Sequence, residues 1–164
     1  MNKYIFILFL GALTIGCLKP EEYPNEPIIA FESFTQLSDS GILLVSFTDG
    51  DGNVGLAEGD TMNEFSPGNK YHHNYFVEYW EKVDGVGWQR GKDINGDDIS
   101  FLYRIPVLTP TGKNKALKGN ISVTIEPSYY NPISPDSDTI KYIITLVDRD
   151  FNESNTVESP EITR

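Results

Sequence analysis

The sequence predicts an all-β protein, a β-sandwich of seven to eight strands placed behind an N-terminal signal peptide. Three observations carry this. Apolar and polar residues alternate with a period of two in several runs, the mark of a half-buried strand. Clusters of Gly, Asp, Asn, Ser and Pro separate those runs, as turns do. No capped amphipathic helix of any length interrupts them.

The first element is the leader. Met1-Asn2-Lys3 carries one positive charge, and Tyr4 to Gly16 carries none. A charged start, a short apolar run and a small residue at the cut make a signal peptide, residues 1–16. The run falls short of the ~20 apolar residues that span a bilayer. Its end, Leu13-Thr14-Ile15-Gly16-Cys17, resembles the lipobox of bacterial lipoproteins, with Thr14 where the commonest form has Leu. The resemblance implies a covalent lipid on Cys17. The thiol receives a diacylglycerol, a peptidase cuts before it, and the new amine is acylated, with palmitate as the usual label. Two or more acyl chains hold a protein stably at a membrane, each buried methylene adding about 0.8 kcal/mol. The competing reading is an ordinary secreted protein with an incidental cysteine. Cys17 is the only cysteine, so no internal disulfide forms and packing must stabilise the domain.

Residues 17–27 form the lipidated end and its tether. Three prolines and three glutamates in residues 18–27 favour an extended chain. By the sorting rule of bacterial lipoproteins, Leu18 in place of Asp directs the protein to the outer membrane. The domain proper is residues 28–164. With 24 acidic against 13 basic residues, the net charge is −11. That balance argues against nucleic acid, which selects clustered Lys and Arg. It also argues against electrostatic attachment to anionic headgroups, and it fits cation binding or plain solubility.

The strands follow in order. Ile28 to Phe34 is apolar and aromatic. Ile42 to Thr48 puts Leu43, Val45 and Phe47 on one face. Tyr75 to Val83 runs into the hairpin signal Asp84-Gly85 and returns through Val86 to Gln89. Ile99 to Val107 is broken at Pro106. Ile121, Val123 and Ile125 alternate with Ser122, Thr124 and Glu126. Ile140, Tyr142, Ile144 and Leu146 alternate again, and Thr156 to Ile162 closes the chain. Asp138-Thr-Ile-Lys-Tyr142 resembles the start of the F strand in immunoglobulin and fibronectin type III domains, where a Tyr often bonds back across the corner. Val147 to Val157, with its Asp-Arg-x-x-Asn-x-Ser-Asn pattern, resembles the F–G hairpin of bacterial Ig-like domains. Together with Phe47 to Leu56, this ending is similar to a group of Bacteroidota lipoproteins, over most of residues 17–164. The resemblance implies an Ig-like, fibronectin type III-like β-sandwich, and it speaks to fold more than to activity.

Two stretches carry the sharpest candidate chemistry. Asp49-Gly-Asp51-Gly-Asn53 sets oxygen side chains at alternate positions, as loops around a hard cation such as Ca²⁺ do. It is not an EF-hand: Val54 stands where the loop needs Gly, Asp60 where it needs a bidentate Glu, and no helices flank it. Asp148-Arg-Asp150-Phe-Asn152, followed by Glu153, repeats the spacing. In an Ig-like fold these are the B–C and F–G loops, which share one end of the sandwich. The carboxylates then converge, and a cation relieves their repulsion. The competing reading is solvated turn residues. Asp93-Ile-Asn-Gly-Asp97-Asp98 is a third acidic loop whose pole depends on how the chain crosses between sheets.

The aromatics are the second candidate. Phe76, Glu78 and Trp80 share one strand face, and Tyr75, Val77, Tyr79 and Glu81 share the other. Tyr79, Trp80 and Trp88, if exposed, would stack on sugar rings or anchor a protein partner; the alternative is that they cap the core. Tyr129 and Tyr130 carry the same ambiguity. His72 and His73 read as exposed loop residues that chelate poorly side by side, and no further His or Cys completes a zinc or nucleophile–base set. Gly112-Lys-Asn-Lys115 lacks the spacing of a phosphate loop, and no carboxylate pair stands out for glycoside hydrolysis. The sequence therefore points to a non-catalytic module of the cell envelope. It would serve interaction, adhesion or structure in a surface complex, with Ca²⁺ at the acidic loops as the candidate cofactor beside the covalent lipid on Cys17. Glycan binding through Tyr79, Trp80 and Trp88 is the alternative.

Overall fold

The computed structural model describes residues 22–110 and 114–164. The expected signal peptide, Cys17 and most of the expected tether lie outside the described residues, as do Gly112 and Lys113. Among the described residues no helix is long and apolar enough to cross a membrane.

The chain is all-β, with two antiparallel sheets. Its strands are β1 (Ile28–Gln36), β2 (Gly41–Asp49), β3 (Tyr75–Val83), β4 (Gly87–Arg90), β5 (Ser100–Tyr103), β6 (Leu117–Ile125), β7 (Thr139–Leu146), β8 (Val157–Glu158) and β9 (Ile162–Thr163). One sheet has the order β1-β2-β6. The other has the order β4-β3-β7-β8, with β5 also on β3 and β9 also on β7. Nine described strands replace the seven to eight expected. The closing run splits into β8 and β9 around Ser159 and Pro160: Ser159 Oγ takes the Tyr142 amide at 3.0 Å, and Pro160 has no N–H to donate.

Period-two alternation dictates the core. In β2 every second residue is buried, and Leu43 and Val45 are fully enclosed. They meet Ile121, Val123 and Ile125 of β6 within their own sheet. Across the gap lie Tyr75, Val77 and Tyr79 of β3 and Ile140, Tyr142, Ile144 and Leu146 of β7. Phe34 packs over Tyr142 with ring centroids 5.4 Å apart. The Tyr142 hydroxyl donates to the Tyr129 carbonyl, pinning the connection between β6 and β7 to the core. Tyr129 is itself buried; Tyr130 is half-buried beside it.

The β1 edge is closed by side chains rather than by another strand. Asn155 accepts the Ile29 amide at 2.8 Å and donates to the Ile29 carbonyl at 2.9 Å. Gln36 Nε2 donates to the Thr163 carbonyl at 2.8 Å. Buried backbone groups need such partners, and these two amides also tie one sheet to the other.

The register sets what shares an end. Ile28 pairs with Thr48, Asp49 with Leu117, and Tyr75 with Leu146. The end of β2, the end of β7 and the starts of β1, β3 and β6 therefore form one pole. A long strap, residues 57–73, leaves this pole after β2 and returns at β3, with two 3₁₀ turns at Asn63–Phe65 and Lys70–His72.

Candidate metal centre

Both acidic stretches lie at that pole. Asp49 is the last residue of β2, and Asp148 follows β7 by two residues. One carboxylate oxygen from each of Asp49, Asp51 and Asp148 lies within 4.8 Å of the others. Two ligands on opposite sides of a Ca²⁺ sit about 5 Å apart, given Ca–O distances of 2.3–2.6 Å.

Burial makes this cluster unusual. Asp49 is 0% exposed and Asp148 2%. The Asp49 Oδ2 atom accepts the Val54 amide at 3.1 Å. Asp49 Oδ1, Asp51 Oδ1 and Asn53 Oδ1 are buried and have no hydrogen-bond donor among the described residues. An unpaired buried oxygen costs about 1–3 kcal/mol, and more when charged. Burial pushes the Asp49 carboxyl up from 3.8 to about 6, and the Asp51 and Asp148 charges add to the rise against the opposing backbone bonds.

The second stretch supplies a frame. Asp148 Oδ1 accepts the amides of Asp150 and Asn152, each at 2.8 Å, and Oδ2 accepts Asn152 Nδ2 at 2.8 Å. Asn53 Nδ2 links the two stretches, donating to Asp150 Oδ2 at 3.0 Å and to Asp51 Oδ2 at 3.3 Å. Of the six expected ligands, Asp49, Asp51 and Asp148 converge, and Asn53, bonded to Asp51 through Nδ2, keeps a buried carbonyl oxygen without a donor. Asn152 is engaged in orienting Asp148, and Asp150 stands exposed at the rim.

The two glycines of Asp49-Gly-Asp51-Gly-Asn53 have their own reason. Gly50 donates its amide to the Pro24 carbonyl at 2.7 Å, and a side chain there would strike the Tyr23 and Pro24 carbonyls. Gly52 has φ +72° and sits against the Lys115 carbonyl and Pro110. The carboxylates at alternate positions are thereby turned the other way, toward Asp148.

Several residues near the site had no signature in the sequence. Asp60, which falls at the twelfth position of the loop, is not part of the cluster. It takes Arg149 in a two-pronged ion pair at 2.6 and 3.2 Å. Its carboxyl is held below the usual range by the Ala57 amide and then by Arg149. Arg104 donates to the carbonyls of Ala57, Asp60 and His72, gathering the base of the strap. The histidines are half-buried in that strap, contrary to the exposed loop expected. His72 Nδ1 contacts the Phe65 carbonyl at 2.9 Å, and burial lowers the His73 pKa.

The aromatic candidate needs correction. Tyr79 is 1% exposed, and its hydroxyl accepts the Asn131 amide. It faces the core with Tyr75 and Val77, so it is no contact residue. Trp80 and Trp88 lie on the outer face of the sheet, half-buried. Arg90 lies 5.8 Å from the Trp80 ring, and Lys141 and Lys82 lie 4.8 and 5.8 Å from the Trp88 ring. Cations of the chain itself thus stand at the rings a sugar would stack on. The third acidic loop folds on itself, with Asp93 Oδ1 accepting the Asn95 and Asp97 amides. It lies beside Asn131, away from the cluster.

No family model, curated protein or solved structure matches the chain.

Proposed function

We propose that this chain is a non-catalytic, lipid-anchored interaction module of the bacterial cell envelope, an Ig-like sandwich whose tether-proximal pole is stiffened by Ca²⁺. The observation that carries the cation is Asp49. A fully enclosed carboxylate keeps one oxygen without a donor and points its charge at two more carboxylates. A divalent cation supplies the missing partner, and the hard oxygen ligands select Ca²⁺ over softer metals. The Ig-like reading is supported by the sheet orders β1-β2-β6 and β4-β3-β7-β8 and by the Tyr142 bond to the β6–β7 connection. The anchor rests on the resemblance of Leu13 to Cys17 to a lipobox.

Calorimetric or fluorescence melts test the cation. Ca²⁺ at one hundred times its Kd adds about 2.7 kcal/mol, which is about 5–10 °C in Tm for a domain of this size. Chelator reverses the gain. Asp51→Ala, a side chain with no backbone bond to lose, melts alike in Ca²⁺ and chelator. Equal wild-type melts in both overturn the reading.

A further inference from the structure

The stretch from Asp148 to Glu153 works on two sides. Its even members face the metal cluster: Asp148 belongs to it, Asn152 orients Asp148, and Asp150 receives Asn53. Its odd members hold the strap. Arg149 grips Asp60. Phe151 packs between Phe65 and Tyr71, with centroids 5.4 and 4.8 Å away. Glu153 pairs with Lys70 at 2.5 Å. Phe151 is held at φ +65°, a left-handed conformation that costs a non-glycine residue about 1–2 kcal/mol. Only a well-fixed flank on either side keeps it there.

We propose that cation occupancy at Asp49, Asp51 and Asp148 latches the tip of the strap, residues 61–71, onto the sandwich through Phe151 and Glu153. This rests on the cation reading above and adds what the cation regulates. The strap base has a second hold, Arg104 at the Ala57, Asp60 and His72 carbonyls, so the latch acts on the tip. The docked tip closes a cleft of about 200 Å³ between Lys70 and Glu153 on one side and Phe76, Glu78, Thr145 and Val147 of the outer sheet face on the other. Release of the cation loosens the 148–153 stretch, frees the tip and opens that end of the sheet face.

Amide hydrogen exchange on the full-length chain in detergent, with Ca²⁺ or chelator, is the test, with calorimetry on the same samples to record Ca²⁺ binding. The expected result is Ca²⁺ binding with exchange across residues 61–71 slowed at least tenfold and β7 slowed less. In the double variant Phe151→Gly/Glu153→Gln, Ca²⁺ still binds within about threefold of the wild-type Kd and the selective slowing is lost. Ca²⁺ binding with unchanged strap exchange, equal slowing of strap and β7, or slowing that survives in the double variant overturns the latch and leaves the cation site standing. Absence of any binding overturns both.

Discussion

Asp49 accepts the Val54 amide on one oxygen, leaves the other without a donor, and lies against two more carboxylates. Its pKa of about 6 in the fold, against 3.8 in the unfolded chain, means the folded state holds the proton more tightly. Without a cation, the stability this gives is complete below about pH 4 and is lost as the pH rises through 6. The loss approaches 3 kcal/mol, at about 1.4 kcal/mol for each pKa unit. Ca²⁺ competes with that proton, so the gap between melts in Ca²⁺ and in chelator should widen from pH 4 to pH 7. Asp49→Asn keeps the Val54 bond and removes the charge. In chelator at pH 7 it should melt higher than the wild type, by roughly 4–8 °C for about 2 kcal/mol, and show little of the pH 4–6 decline. A wild-type melt that rises with pH across this window, or an Asn variant that melts lower at pH 7, would show the charge to be already compensated.

At the scale of elements, the loop after β2 depends on its glycines for opposite-side clearance. Gly52→Ala adds a methyl at φ +72° against the Lys115 carbonyl. We expect a loss of at least about 2 kcal/mol in chemical denaturation, from backbone strain and the displaced neighbour. Gly59→Ala, with nothing within 4 Å of the new atom, should stay within about 0.5 kcal/mol of wild type. Much of this pole was legible in the sequence. Oxygen side chains at alternate positions marked both acidic stretches, and the resemblance to an Ig-like fold implied that they share one end. The odd positions were not legible. Arg149, Phe151 and Glu153 meet Asp60, Phe65, Tyr71 and Lys70 across about half the chain's length, and such pairings leave no local pattern. Tyr79 shows a different limit. Period two correctly grouped it with Tyr75 and Val77, but both faces of β3 bear large aromatics. Only the stacking of β1-β2-β6 decides which face turns inward.

At the scale of the whole molecule, the described part of the tether meets the fold at the metal pole, where Pro24 contacts Gly50. Four residues lie between Cys17 and Glu22, a reach of about 18 Å over the five steps at full extension. A lipid anchor at Cys17, as proposed, would hold this pole close to the membrane and turn the hairpin ends at Gln36–Gly41 and Val83–Gly87 outward. Cys17→Ala should abolish palmitate labelling and release the domain into the soluble fraction. Membrane association that persists without label would show that something other than acyl chains retains it.

The route of the tether also has a mechanical consequence. Tension drawn through Glu22 meets the Pro24–Gly50 hydrogen bond first, then enters β1 at Ile28 and pulls along that strand's own axis. From Ile28 opposite Thr48 to Gln36 opposite Gly41, the β1–β2 ladder then resists in shear, its bonds strained together rather than peeled one after another. Asn155 and Gln36 share the pull with the second sheet. A domain tugged outward from a cell surface would give way last where it is tied to its leash.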